Sequence, residues 1–292
     1  MTAAMRIAAA HRTPRPTRGF TLVEIVVVLF ILGIVISMAV AITNALTASQ
    51  RLSTTATRLA AVDAAIVQYV MQQKRLPCPA DGTLASTNAN AGIEVPPVAA
   101  GCSTNEANGV VPWRALGLAE TDITDGWNRR MTYRIDPTLA KASALDMSWC
   151  DPAGTGVLSG GVCNNACTST TLGSCTPPSL YLNGKGLTVK NVAGTVVMDP
   201  NTAPYTGAAY VVISAGSSGG GAYTSAGALA PTATTDGTEE KKNYADLAYA
   251  AGVYYVDDGI SDVAGATHFD DVVSRPALLT VINKAGLAPR SH

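Results

Sequence analysis

From Ile25 to Ile42 the chain runs for eighteen residues without a charged side chain. At a rise of about 1.5 Å per residue, such a run spans roughly 27 Å as a helix, close to the hydrocarbon thickness of a bilayer. Few segments constrain a fold more, because a continuous apolar helix of this length has to be covered by lipid or by other protein. Phe20 to Val23 extend the run on its N-terminal side, and a single acid, Glu24, sits between the two parts. A carboxylate in hydrocarbon costs about 3 kcal/mol unless it is paired, which makes Glu24 a functional candidate. The plainer alternative places it at the headgroup boundary, with its carboxylate reaching toward water.

Residues 1–19 hold Arg6, His11, Arg12, Arg15 and Arg18 and no acid. Basic residues ahead of an apolar stretch put the N-terminus in the cytoplasm and the remainder outside. An ordinary secretory signal would be cut after the apolar stretch at small residues, and Ser37 to Ala41 offers no convincing site. Cleavage ahead of the stretch fits better.

Gly19-Phe20-Thr21-Leu22-Val23-Glu24, followed by the apolar helix, resembles the processing site of type IV prepilins and type II secretion pseudopilins. The resemblance implies that a prepilin peptidase cuts between Gly19 and Phe20 and methylates the new amino group of Phe20. It also implies that Glu24 pairs with the N-terminal amine of a neighbouring subunit during assembly, the partner a buried charge requires. Other pilin or pseudopilin subunits and an inner-membrane assembly platform would be the remaining partners. The resemblance covers about the first 50 residues. Ala41 stands where many major pilins have a kinking proline, which leans toward a pseudopilin or minor pilin. Loss of four arginines with the leader leaves 16 basic and 21 acidic side chains, a formal charge of −5.

Beyond the apolar run, Leu52, Leu59, Val62, Ile66, Tyr69 and Val70 recur at helical spacing. The spacing predicts one helix from Thr21 to Arg75, weakened only by Gly33 and ended by Pro77 and Pro79. The expected organisation is a leader over 1–19, a helix over 20–76 and a head over 77–292, the helix crossing the membrane over about 20–43 and amphipathic over 44–76. The expected fold is α+β and pilin-like: a long N-terminal helix packed on an antiparallel β-sheet head with long loops. Residues 77–112 read as a long loop rich in Ala, Asn, Gly and Pro. Met131, Tyr133 and Ile135 alternate with Thr132 and Arg134, the mark of a strand. Asp125-Gly126-Trp127-Asn128 ahead of it is similar to the Asp-x-Trp-Gly region of pseudopilins, with Asn128 where glycine is usual. Ala209 to Ser214 predicts a buried strand, and Gly216 to Gly221 a flexible Ser-Gly tract. That tract lacks the Lys-Ser/Thr ending of a phosphate loop. His268 to Val273 is similar to the closing strand of pseudopilin heads.

Cys78, Cys102, Cys150, Cys163, Cys167 and Cys175 are an even set, suited to disulfides in an exported domain. Six cysteines allow 15 connectivities. Cys78 and Cys102 flank one loop and are the first pair to expect, leaving the other four to pair among themselves. Free thiols or zinc are the alternatives, although His11, His268 and His292 are remote in sequence. Asp257, Asp258 and Asp262, then Asp270 and Asp271, form the only acidic grouping. Related pseudopilins hold calcium near their C-terminal strands, which makes Asp257, Asp258 and Asp262 calcium candidates. Their spacing matches no EF-hand, and a solvated turn is the alternative. No other cofactor is implied.

The net charge of −1 and the lack of a Lys/Arg cluster offer no surface for nucleic acid on the head. No nucleophile, base and orienting acid stand together, so no enzyme is expected. The expected function is a structural subunit, a pseudopilin or minor pilin, anchored in the inner membrane with its head in the periplasm, then built into a periplasmic or surface filament. A ligand-binding tip pilin and an unrelated single-pass membrane protein are the alternatives.

Overall fold

The computed structural model describes residues 19, 21–95, 97–98, 101–102, 108–152, 163, 170, 175–232, 235–245, 253–261, 263 and 265–290. Helix α1 runs unbroken from Leu22 to Gln73, 52 residues, through both Gly33 and Ala41. It starts one residue after the expected position and stops two before it. The stop is set by Lys74, whose backbone turns left-handed (φ 56) while its N–H still reaches Val70 O at 2.8 Å. That bond closes the helix before the prolines are met.

By its internal contacts the chain divides into two units, Met1–Ser49 and Gln50–His292. In the first, every described side chain of α1 is exposed, Phe30 at 68% and Ile42 at 61% among them. The second unit begins with the rest of α1, and here a face does form. Thr55, Leu59, Val62, Ile66 and Val70 recur every three or four residues and are buried. Each of the four apolar side chains contributes about 2 kcal/mol by leaving water.

The sheet they join has five strands, β1 (Ala80–Asp81), β4 (Gly109–Val110), β6 (Thr132–Ile135), β9 (Tyr210–Ser214) and β12 (Val272–Ser274), in the order β1-β4-β6-β9-β12. All four pairings are antiparallel. Tyr133 lies opposite Val212, and Ile135 opposite Tyr210. These four residues share one core with Leu59, Val62, Ile66 and Val70 of α1. The alternate residues of β9, Val211 and Ile213, enter a second core with Leu187, Val189, Met198 and Tyr255. That second layer comes from a three-stranded sheet of β7 (Thr188–Lys190), β8 (Val196–Met198) and β11 (Tyr254–Val256), ordered β11-β7-β8, where β11 and β7 run parallel. Cover on both faces is why β9 is a continuous apolar run. Two further pairs, β2 (Pro97–Val98) with β3 (Gly101–Cys102) and β5 (Arg129–Arg130) with β10 (Tyr223–Thr224), complete the strands of the described residues, together with the short helices α2 (Pro178–Leu182) and α3 (Leu278–Lys284).

Two expectations are corrected. The 77–112 segment carries β1 to β4, two of them strands of the main sheet. Thr132 and Arg134 of β6 are 3% and 1% exposed, because both sides of that strand are covered. Arg134 donates to the carbonyls of Tyr244 and Ala245. The Ser-Gly tract is ordered and largely buried. A Cβ on Gly219 would fall 1.7 Å from the Arg129 guanidinium carbon, and one on Gly221 would fall 2.3 Å from the Tyr244 ring. The glycines serve close packing there.

Asp63 ties α1 to the sheet through polar contacts. It accepts from Tyr210 OH on β9 (2.9 Å) and Ser274 Oγ on β12 (2.6 Å). Burial raises its carboxyl above the ordinary range, although both hydroxyls and the charge of Lys284 pull it down.

Candidate functional site

The helix start is organised by Thr21. Its hydroxyl accepts from the Glu24 backbone N–H at 3.2 Å, and its carbonyl accepts from Ile25 N–H at 3.2 Å. Thr21 is thus an N-cap, with Glu24 three residues on in the helix's first turn, half of a capping box. Thr-x-x-Glu was readable as that signal in the sequence, alongside the reading of Glu24 as a membrane acid. A carboxylate in the first turn also faces the positive end of the helix dipole. Among the described residues the Glu24 side chain has no bonded partner. Gly19 is exposed, and Phe20 lies outside the described residues.

Along the apolar segment, hydroxyls turn back on their own helix. Ser37 Oγ donates to Ile34 O (2.8 Å), Thr43 Oγ1 to Ala39 O (2.7 Å) and Thr47 Oγ1 to Thr43 O (2.9 Å). Each of these three hydroxyls is satisfied within the helix, as a side chain facing lipid would require. The helix is long and apolar enough to cross a membrane.

Comparison with known families places one match on this segment. Residues 14–40 fit the model of the prokaryotic N-terminal methylation motif. The chain carries the signature of the type IV prepilin and pseudopilin family. Prepilins of this kind are processed by prepilin peptidase and assemble with other pilins, and the long helix followed by antiparallel sheets is the pilin-like arrangement. No match was found among curated proteins or among solved structures.

In the Gln50–His292 unit, Cys78 is bonded to Cys102 and Cys150 to Cys163, and Cys175 is disulfide-bonded as well. No cysteine is free among the described residues, which do not include Cys167. The Cys78–Cys102 bridge sits beside a polar cluster at the end of α1. Glu94 accepts from Arg75 Nη2 (2.9 Å) and Nη1 (3.0 Å), Tyr69 OH (2.9 Å) and the Cys78 N–H (2.9 Å). Burial pushes the Glu94 carboxyl up, but these donors prevail and hold it below its ordinary value.

Two of the three calcium candidates lie among the described residues. Asp257 pairs with Arg275, Asp258 accepts from the backbone N–H groups of Val192 (3.0 Å) and Gly259 (2.8 Å), and Asp262 lies outside the described residues. One group of buried acids, Asp236, Glu240, Asp270 and Asp271, lies with His268, each residue 2–7% exposed. Asp270 and Asp271 are therefore no solvated turn. Ligand atoms of Asp236, Glu240 and His268 lie within 4.8 Å of one another, as do those of Glu240, Asp270 and Asp271. Protein donors already serve them. Glu240 accepts from the N–H groups of Gly237 (2.9 Å) and Asp270 (2.8 Å) and contacts His268 Nδ1 (2.8 Å). Asp270 accepts from Ser217 Oγ (2.7 Å) and from Ser218 N–H (2.7 Å), and Asp271 from Asn243 Nδ2 (2.8 Å). Sequence reading missed this group because Asp236 and Glu240 come from a segment some thirty residues from His268, and only the fold joins them.

Proposed function

We propose that this chain is a structural subunit, a pseudopilin or minor pilin, of a type IV pilus-like filament or type II secretion pseudopilus. The observation that carries the reading is the methylation motif at residues 14–40 opening onto a helix whose apolar side chains are exposed all round. Prepilin peptidase cuts after Gly19 and methylates Phe20. The subunit rests in the inner membrane with its leader in the cytoplasm and its head in the periplasm, the side on which its disulfides form. Glu24 then meets the N-terminal amine of a neighbouring subunit, and the helix exchanges lipid for the helices of its neighbours. The assembly platform of the inner membrane and other pilin subunits are the partners.

The test is the mature N-terminus. Full-length chain produced with a prepilin peptidase is expected to begin with N-methylated Phe20 by mass spectrometry. Retention of Met1, or a cut beyond Ile42, defeats the reading. Glu24→Ala is expected to be processed normally yet to fail to enter filaments, and normal incorporation would remove the role assigned to Glu24.

A further inference from the structure

Thr55 is the first buried side chain among the described residues of α1, and one turn of the head meets the helix there. The Gly126 N–H donates to Thr55 Oγ1 at 2.9 Å, and that hydroxyl in turn bonds Arg51 O at 2.9 Å. Arg58 Nη1 reaches back across the turn to the carbonyls of Thr124 (2.8 Å) and Asp125 (3.1 Å). A Cβ on Gly126 would lie 2.4 Å from Arg51 O and 2.7 Å from Arg51 Cα, so turn and helix backbones touch at a point no side chain could enter. The far side of the turn is tied to the sheet. Asp125 Oδ2 accepts from Ser214 Oγ at the end of β9 (2.8 Å), while Oδ1 accepts from the N–H groups of Trp127 and Arg129 (both 2.9 Å).

We propose that the turn Thr124–Asn128 is a collar that sets where the head ends on α1, with Gly126 and Thr55 as its positioning residues for subunit assembly. The assembly part rests on the reading given above. The next buried positions along the helix are Leu59 and Val62. Release of the collar frees α1 back to Leu59, four residues further along, or about 6 Å of helix. In a filament whose helices pack side by side, a head hinged one turn later no longer meets its neighbours in register. Processing at Gly19 lies far along the chain and does not depend on the collar.

The experiment uses the full chain in detergent and in an assembling strain, with Gly126→Ala, Thr55→Val and Thr55→Ser. Hydrogen exchange of peptides covering residues 51–60 is expected to quicken about tenfold in Gly126→Ala and Thr55→Val. Thr55→Ser, which keeps the hydroxyl, restores the wild-type rate, and peptides of β9 stay unchanged in all three. Filament incorporation falls in the first two variants alone, and the mature chain starts at Phe20 in every case. Unchanged exchange over 51–60, or equal loss in β9, overturns the collar, as does normal incorporation of both loosened variants. Should the wild-type chain not start at Phe20, the subunit reading fails, while the exchange result still decides whether the turn grips the helix.

Discussion

Asp271, Glu240 and His268 are held in a buried knot, where removal from water penalises the charged form of an acid. Burial raises the Asp271 carboxyl well above its ordinary value and the Glu240 carboxyl above its own. Burial pulls the His268 imidazole down, but Glu240 beside it and the charges of Asp270 and Asp236 prevail and raise it. All three shifts act in one direction. An acid whose folded value is raised binds its proton more tightly in the fold, so its contribution is complete below about pH 4 and is lost as pH climbs through the raised value. A raised histidine contributes fully below about pH 6.5 and loses that contribution as pH rises further. The head is therefore expected to melt at a lower temperature at pH 8 than at pH 5.5, and Asp271→Asn to flatten that slope. Equal slopes in wild type and variant, measured by thermal melts across this range, would show that the knot does not govern it. Arg130 illustrates the same scale without titration. Its five N–H donors are met by Glu120, Ser86 and the carbonyls of Gly82, Leu84 and Ser225, and its guanidinium lies 5.0 Å from the Trp113 ring centre. Nothing local in Arg129-Arg130 distinguishes this buried hub from a solvated pair of charges.

Among the elements, α1 was the most legible, since a period of three to four residues and two prolines are local signals. Its last turn needed the fold to be understood: Lys74 takes the left-handed cap and pairs with Asp146. The 77–112 segment was least legible, because two-residue strands carry almost no periodicity and exist only through their partners. The Cys78–Cys102 bridge closes 24 residues of that segment and adds to its strand pairing and the Arg75–Glu94 cluster. The loop-entropy estimate for such a closure is about 3 kcal/mol. A Cys78→Ser/Cys102→Ser double variant is expected to lose stability of this order in denaturant melts, with faster proteolysis of the 79–98 segment ahead of the sheet. A variant as stable as wild type would mean that the Arg75–Glu94 cluster suffices to hold the segment.

At the scale of the whole molecule, the two units answer to different solvents. Residues Gln50–His292 carry the whole of both hydrophobic cores, while the helix from Leu22 to Ser49 is exposed. A chain beginning at Gln50 is expected to be soluble without detergent and to melt cooperatively, whereas the full chain requires detergent or membrane. Aggregation of the shortened chain would show that the head needs the apolar helix to fold. The membrane-length helix, its amphipathic continuation, the processing motif and the buried strand β9 follow from the sequence alone, because each is encoded by residues close together along the chain. The burial of Arg130 and Arg134, the His268 knot, the parallel pair of β7 with β11 and the grip of Gly126 on Arg51 were decided by tertiary structure. Each depends on groups distant in sequence meeting across a covered sheet, where burial rather than local pattern determines which polar atoms must find partners.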